Sequence, residues 1–459
     1  MKPKTIVLVG TMVPLLGICL SRSPAEAAGF AAARFGGELG NVTTNTPTAL
    51  YYNPAGIGFS EGTNVYVDGI LALRRVTYEH AMAPTDMPEP AGAEGATFGK
   101  AQLFNVLGGP MLGATTRLGN WALGAGLMVP YGGMAHWDTN DKFKNDPKYP
   151  QAADGIQRWD SIDGSLTFIY FTAGAAYRWG RLSVGATANL VRSAVASTQA
   201  KTPVGSGDPD IDREGRAKLD VVGYQGSFGL GVLVEAIENR LWLGAGYQAQ
   251  PGLGPMSLKG TLHTVYQGND APFHVEFHQA LPDSLRLGGK LRVNDMLELR
   301  LSGELTRWSQ MQSQCVAIAG DPCLVDSTGA DVTPNGSVAQ NLRRRWKDTY
   351  SIHGGASVWV RPTVELFGGL AFETAAVPDS TLDPALPDAN NVAAALGARL
   401  QLAGTYFVAA SYTNIQYFAR DNTGKSILAN AVTPTKLPDG GGKYTQWIGL
   451  FNVNLQKQF

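Results

Sequence analysis

Long runs in which apolar and polar residues alternate are the feature that most limits how this chain can fold. The pattern recurs in LRLGGKLRV (285–293), LELRLSGEL (297–305) and RLSVGATANL (181–190). Successive side chains of a β-strand point to opposite faces, so each run predicts a strand with one apolar and one polar face. Only 16% of the 459 residues are charged, against roughly 25% in soluble domains. Low charge together with this alternation favours contact with something other than water.

A membrane role would require a closed barrel, because no segment after residue 27 reaches about 18 consecutive apolar residues. We predict 14 strands, at 63–79, 99–117, 121–130, 165–179, 181–199, 217–236, 240–250, 272–293, 297–311, 343–360, 364–373, 391–402, 405–420 and 443–459. Short links such as 118–120 alternate with long links such as 131–164. An even strand count with this alternation is typical of bacterial outer-membrane barrels. The sequence therefore predicts an all-β fold, with a transmembrane antiparallel β-barrel over 63–459.

The turn at 294–296 predicts which side chains face the lumen. Three turn residues place Val293 opposite Leu297 on the apolar face. The polar face then carries opposed charges across the two strands. The predicted lumen charges are Arg286, Arg292, Glu298, Arg300 and Glu304. The chain ends in an alternating strand, FNVNLQKQF, whose terminal Phe459 is typical of barrels handed to the outer-membrane assembly machinery.

Residues 1–27 have the pattern of a cleaved signal peptide. Lys2 and Lys4 precede an apolar run over 6–20, and Ala25-Glu26-Ala27 gives a cleavage site before Ala28. A lipoprotein signal at Cys19 is the alternative, but Ile18 is too large for the position before the cysteine.

Two cysteines remain in the exported chain, Cys315 and Cys323. Export leads to an oxidising compartment, which predicts a disulfide closing a short loop. Two free thiols are the alternative.

The segment 28–62 lacks the alternation of the strands and contains ALYYNPAGIGF (49–59). Thr46 and Pro47 resemble a helix start, and Asn53-Pro54 resembles its end. An apolar segment of this kind would not hang free in the periplasm. We expect it to fold into the barrel as a hatch, with Gly56 allowing close approach to the wall.

Several stretches resemble the FadL family of bacterial outer-membrane transporters for long-chain fatty acids, which includes toluene and xylene transporters. They are YYNPAGIGF (51–59), LMVPYG (127–132), YFTAGAAYRWGRLSVGATANL (170–190), LPDSLRLGGKL (281–291), TRWSQM (306–311), WKDTYSIHGGASV (346–358) and the segment around LPDANN (386–391). The resemblance spans essentially all of 28–459. The family usually places an acidic-basic pair where this chain has Asn390-Asn391, so no role is carried over for that pair.

The resemblance implies a monomeric 14-stranded barrel in which substrate binds beside the hatch and leaves sideways at a kinked third strand. The hatch and pocket residues would be Tyr51, Tyr52, Asn53, Pro54, Ala55 and Gly56. The lateral opening would lie at Gly124, Gly126, Pro130 and Gly132. Glycine and proline also indicate a bulge or kink on their own, although the end of a strand at a loop is the alternative.

The basic run RRRWK lies at the outer end of a predicted strand. Its cationic residues are Arg343, Arg344, Arg345 and Lys347. They could bind lipopolysaccharide phosphates, capture a substrate carboxylate, or form a solvated rim.

No motif indicates catalysis or a cofactor. GFSEG (58–62) matches a nucleophile elbow, but that elbow needs a helix after the serine, and here a strand follows. His274 and His278 lie in a strand, where this spacing does not make a helical metal pair. A net charge of −1 gives no indication of nucleic acid as a partner. We therefore expect no enzyme activity, metal or cofactor.

The sequence predicts passive uptake of hydrophobic compounds across the outer membrane, with long-chain fatty acids as the first expectation and aromatic hydrocarbons as the alternative. A polar-solute porin is disfavoured by the apolar hatch. A lipid hydrolase would need a Ser-His-acid constellation that the sequence does not offer.

Overall fold

The structure, a computed structural model, describes residues 34–84, 86, 88–202, 211–266, 268–402, 404–427 and 438–459. Fourteen strands close into one antiparallel barrel, which confirms the predicted fold. Numbered in chain order, they pair around the ring as β1 (Thr63–His80), β2 (Gly99–Leu118), β3 (Trp121–His136), β4 (Asp163–Trp179), β5 (Leu182–Lys201), β6 (Gly215–Ile237), β7 (Leu241–Gln248), β10 (Ser284–Arg292), β11 (Leu297–Thr306), β14 (Thr349–Arg361), β15 (Val364–Glu373), β16 (Asn391–Leu402), β17 (Tyr406–Tyr417) and β19 (Lys443–Gln458). Pairing of β19 with β1 closes the ring.

The barrel wall follows the alternation of the sequence. Leu287 and Leu301 are 54% and 59% exposed on the outer face, whereas Arg286 and Arg300 are only 5% and 8% exposed on the lumen face. The links also sort as predicted: the turns after β2 and β4 are tight, and the links at the other end of the barrel are long. Gly180 adopts a φ of 54°, which an L side chain rarely adopts and which this tight turn requires.

Two predicted strands were wrong because each one covers two strands of the structure. The prediction at 272–293 spans β9 (Asn269–Gln279) and β10, which are separated at 280–283 by Leu281-Pro282. Proline has no N–H to donate to a ladder, so it interrupts the strand. The prediction at 343–360 spans the end of β13 (Val338–Arg343) and all of β14, with Arg345 at a φ of 49° between them.

Further strands extend the barrel sheet at its outer end. The predicted strands leave 251–271 as a link, but this segment contains β8 (Met256–Tyr266). The outer part of β6 pairs with β8, which continues through β9 and β12 (Ser313–Ile318) to β13. Short β18 (Arg420–Asp421) pairs with β19. The disulfide between Cys315 and Cys323 joins β12 to the loop that follows it.

Helices are few and short in the described residues. α1 (Ala49–Tyr52) ends before Asn53-Pro54, as predicted, but it begins after Thr48 rather than Thr46. Short 3-10 helices lie at Gly37–Leu39, Pro54–Phe59, Asp141–Phe143, Pro150–Asp154, Ile211–Arg213, Pro251–Leu253, Trp308–Gln310 and Asp379–Thr381. No helix among the described residues is long and apolar enough to cross a membrane. The predicted signal peptide and 28–33 lie outside the described residues.

Ion pairs hold the outer links in place. Arg158 is fully buried and donates to Glu214 over 2.8 and 3.0 Å, which ties the link after β3 to the start of β6. Arg420 donates to Asp379 and thereby lowers the pKa of that carboxyl below its usual value. These contacts give the outer end a defined shape around the lumen.

Candidate functional site

The hatch, residues 34–62, lies inside the barrel and fits closely against one part of the wall. Glycines on β5, β6 and β7 face its backbone. A Cβ added at Gly185 would lie 2.6 Å from the backbone nitrogen of Ala55, and one added at Gly244 would lie 2.7 Å from the carbonyl oxygen of Val42. Contacts this short leave no room for a side chain. The glycines of β5, β6 and β7 therefore make the seat of the hatch.

Asn53 fixes the hatch to this seat. Its side chain is fully buried, and Nδ2 donates to the carbonyl oxygens of Val42 at 2.8 Å and of Val232 at 3.0 Å. Oδ1 accepts from the backbone N–H of Ala55 at 3.2 Å. Asn53 thus links two parts of the hatch to β6, and Ser183 adds a bond from β5 to the carbonyl of Ala55 at 2.8 Å.

The wall has an interrupted ladder between β2 and β3. Pairing of these strands runs from Leu118–Trp121 to Leu112–Leu127 and stops there, although β2 stays paired with β1 up to Gly99. Contact resumes at the outer end, where Asn105 Oδ1 accepts from the backbone N–H of His136 at 3.2 Å. We call the interval between these contacts, 106–111 of β2 and 128–135 of β3, the window. Six residues at about 3.4 Å each make it about 20 Å long.

The bend of β3 produces the window. Register with β4 shifts between Met128 and Tyr131, so Val129 and Pro130 form a bulge. After it, Tyr131 is only 3% exposed, because the strand turns toward the lumen. A bulge bends the strand that carries it, and proline cannot rejoin the ladder.

The residues predicted for the lateral opening are divided by this geometry. Pro130 and Gly132 lie in the window, whereas Gly124 and Gly126 lie below it and pair with both β2 and β4. Leu50 of the hatch packs on these two glycines, since added Cβ atoms would lie 3.0 and 3.5 Å from its methyl groups. A lateral opening at this strand remains a prediction. Leu50 of the hatch lies just below the window.

Sequence reasoning missed the other side of the window. β2 carries Gly108-Gly109-Pro110 there, and Pro110 pairs only with Gly69 of β1. The signal was present, because a proline inside a strand marks an edge or a bulge. It was overlooked because the surrounding residues alternate well.

Aromatic rings gather on the lumen side of the window. Tyr131 contacts Phe168, Tyr170 and Trp308, each with ring centroids 6.3 Å apart, and Trp308 contacts Trp346 at 5.1 Å. We call these five residues the aromatic cluster. Several of the pairs are edge to face, an arrangement that adds about 0.5–1.5 kcal/mol per pair. The cluster gives the window an apolar and π-rich inner wall.

The opposite wall carries the predicted lumen charges. Arg286 pairs with Glu304 at 2.9 Å, donates to the carbonyl of Tyr51 at 3.2 Å and lies 4.4 Å from the ring centroid of Tyr51. Arg300 pairs with Glu298 at 3.0 Å. In the described part of the chain, no group of three or more His, Cys, Asp or Glu residues is placed to hold a metal ion.

Glu298 lies opposite Arg292 in the ladder, as the turn predicts. The ion pairs differ from that register: Glu298 pairs with Arg300, and Arg292 stacks on Trp359 instead, 5.5 Å from its ring centroid.

The basic run at the outer end is divided between buried and exposed residues. Arg344 is only 2% exposed and donates to Asp383 at 2.6 Å and to Gln314 at 2.8 Å. Arg345 and Lys347 are exposed, and Arg343 is partly exposed. Arg344 therefore holds outer links together, and headgroup capture stays a prediction for the other three.

A closed 14-stranded barrel with an internal hatch and a window in its wall defines an outer-membrane channel of the plugged kind. Residues 17–426 match the family described as outer membrane protein transport protein (OMPP1/FadL/TodX). The chain belongs to this family and is an outer-membrane protein.

Solved structures agree on the fold. A FadL homologue of Pseudomonas aeruginosa superposes with a TM-score of 0.72 at 18% identity, covering 95% of this chain and 98% of the other. The toluene transporter TbuX of Ralstonia pickettii gives a TM-score of 0.61 at 15% identity, covering 94% and 98%. A relative in Neisseria meningitidis serogroup B, named as outer membrane protein NMB0088, is 22% identical over 435 residues, covering 88% of this chain and 89% of its own length.

Proposed function

We propose that this protein takes up hydrophobic compounds across the outer membrane and releases them sideways through the window between β2 and β3. The observation that carries the proposal is the ladder that stops at Leu112–Leu127 while both strands continue. Membership of the transport family supports uptake as the function. No energy source is required, because the compound moves down its own gradient.

Partition energetics favour a sideways exit. An apolar compound gains about 0.8 kcal/mol for each methylene that stays out of water. The straight route to the periplasm is occupied by the hatch and by charged side chains such as Arg286 and Arg300. The window leads instead from the aromatic cluster to the lipid-facing surface, where Val106 is 51% exposed.

Within this class we propose long-chain fatty acids as substrates. The family resemblance supports them, and a window about 20 Å long could pass an extended acyl chain lengthwise. Exposed Arg345 and Lys347 at the outer end could attract their carboxylates. Lipopolysaccharide phosphates are the other anions that these two residues could bind.

Aromatic hydrocarbons are the second candidate, favoured by the aromatic cluster. Rings packed edge to face around Tyr131 offer the geometry that another ring would use. Uptake of oleate and of toluene by cells with and without the gene separates the two classes. Oleate uptake that requires the gene, with toluene entry unaffected, supports fatty acids; the reverse result supports aromatic hydrocarbons.

A pair of tryptophan substitutions tests the window itself. A Cβ at Gly108 would lie 3.5 Å from the nearest atom. Gly108→Trp can therefore place an indole on the lipid-facing side of the window without a backbone clash. Gly354→Trp on β14 is the matched control, because that glycine has nothing within 4 Å and is paired with Leu301 on one side and with Leu370 on the other. We expect uptake to be lost in the first variant and kept in the second. Equal uptake by two folded variants would refute release at the window.

A further inference from the structure

The lumen has a second route, on the side of the hatch that faces away from its glycine seat. Two cavities of about 140 and 120 Å³ lie between the hatch and parts of the charged wall. We call them the upper and the lower cavity. The upper one extends to Thr306 and Tyr417 at the outer ends of their strands, and the lower one to Arg399 and Gln456 near the periplasmic turns. Between them, the cavities extend along most of the barrel.

One strand lines both cavities from end to end. Its lumen-facing residues, at every second position of β11, are Glu298, Arg300, Ser302, Glu304 and Thr306. All five are polar, and Arg300 lines both cavities. A strand of this length crosses the membrane, so its polar face offers a continuous hydrophilic surface past the hatch.

Unpartnered donors indicate that both cavities contain water. Within the described residues, Nε and Nη2 of Arg300 and Nε of Arg286 are buried and have no hydrogen-bond partner. A buried donor without a partner is destabilising, and the charge of the guanidinium increases that cost. A water needs only about 10–15 Å³ of such space and polar partners, and both cavities exceed that volume several-fold.

The two cavities meet at a constriction formed by Arg300, Asn41 and Gly40, the three residues that line both. Nη1 of Arg300 holds the guanidinium in place through Glu298 at 3.0 Å and Ser357 at 2.8 Å. On the other side, Asn41 belongs to the hatch, where its Oδ1 accepts from the N–H of Thr43 at 2.9 Å. The polar route is therefore narrowest where the Arg300 side chain of the barrel faces Gly40 and Asn41 of the hatch.

We propose that β11 and the hatch enclose a water-filled path for small inorganic ions, and that Arg300 is its gate. Ions are the class of solute that fits, because charged side chains line the path and its width is set by a single guanidinium. Basic and acidic lining residues are equal in number, five each, so the path should discriminate weakly between cations and anions. This conduction does not require hydrophobic uptake through the window, although the upper cavity also touches Pro130 of the window and Trp308 of the aromatic cluster.

Conductance of the purified full-length protein in planar lipid bilayers, in potassium chloride, tests the proposal. We expect small, weakly selective current steps from the wild type and several-fold larger steps from Arg300→Ala. Arg74→Ala is the matched control, because Arg74 is a lumen-facing arginine of β1 that lines neither cavity. Arg300→Ala currents no larger than those of the wild type would overturn the proposal.

A second substitution distinguishes current through this path from a nonspecific leak caused by the lost charge. Ser302→Trp fills the upper cavity and leaves every charge in place. Added to Arg300→Ala, it should return the conductance to the wild-type range. A double variant that conducts as well as Arg300→Ala alone would locate the current outside this path and would also overturn the proposal. Oleate and toluene uptake, measured in the same variants, reports separately on the proposed function.

Discussion

The two walls that face the hatch are built in opposite ways. On β5, β6 and β7 glycines make up part of the lumen face, and at Gly185, Gly244 and Gly246 the hatch backbone lies at distances that exclude even a methyl group. On β10, β11 and β14 to β16 the lumen face carries arginine, glutamate and histidine, and cavities lie between much of this face and the hatch. The first wall holds the hatch by shape, and the second surrounds it with polar groups.

The difference indicates that the hatch is packed tightly against one side of the barrel and does not fill the whole lumen. Close packing is intolerant of added atoms, because each must displace others. A hydrated charged wall tolerates change, because water can replace a lost partner. Substitutions on the glycine wall should therefore be costly, and matched substitutions on the charged wall should not.

The largest effect is expected at Leu50, which packs below the window on Gly124 and Gly126 of β3 and Gly174 of β4, beside the glycine wall. Leu50→Ala should cost about 2–5 kcal/mol, as other large-to-small changes in packed cores do. Gly124→Ala should also destabilise, because its Cβ would lie 3.0 Å from a Leu50 methyl. The double variant should lose less than the sum of the two, since the shortened side chain at position 50 leaves space that the methyl added at position 124 partly fills. Urea unfolding in lipid vesicles measures the cycle, and simple additivity would show that the two residues do not share a site.

A pair of alanine substitutions compares the two walls directly. At Gly246 an added Cβ would run into the backbone carbonyl of Tyr52, which cannot move without the hatch. At Gly355 it would meet the carboxylate of Glu38, the mobile end of a long side chain in the upper cavity. Gly246→Ala should cost about 1–3 kcal/mol and expose the hatch to protease. Gly355→Ala should leave protection unchanged, and equal protease sensitivity in the two variants would contradict the comparison.

The hydrogen bonds of Asn53 allow a second test of how firmly the glycine seat holds the hatch. Asn53→Ala removes both donations and leaves the carbonyl oxygens of Val42 and Val232 without that partner. Each buried group so stranded costs about 1–3 kcal/mol, so hatch protection should fall clearly. Asn45→Ala is the control, because Asn45 is exposed and makes a single bond of 3.5 Å to Phe59. Hydrogen exchange of the hatch amides compares the two variants. Unchanged exchange in Asn53→Ala would show that this residue does not hold the hatch to its seat.

Much of the barrel could be predicted from sequence, because a period of two is a local signal that each strand carries by itself. Leu285 to Leu291 and Leu297 to Leu305 alternate with polar residues, and their faces in the structure follow. The strands that extend the sheet beyond the ring could not be predicted in the same way. β8 and β9 alternate too, but whether a strand joins the ring or stands above it depends on partners distant in sequence.

The site was predicted less completely, for a related reason. The NP at 53–54 indicates the end of α1 locally, and the glycines at 124 and 126 stand out in a strand. What these glycines do depends on Leu50, more than 70 residues earlier in the chain, and no local pattern contains that contact. The seat at Gly185, Gly231 and Gly246 was missed because each glycine alone is unremarkable in a glycine-rich chain.

The smallest effect is expected at Arg399 on the charged wall, and it is the sharpest test of whether that wall is wet. Arg399 lies 3.5 Å from Glu365 beside the lower cavity, and the Glu365 side chain is only 6% exposed. In a dry site, Arg399→Gln would leave a buried carboxylate unpaired and cost about 3–5 kcal/mol. If water fills the cavity, it solvates Glu365, and the cost should stay within about 0.2–1 kcal/mol, as for exposed pairs. Urea unfolding of Arg399→Gln beside Asn53→Ala decides between these values, and a loss as large as that of Asn53→Ala would mean that both walls are packed dry.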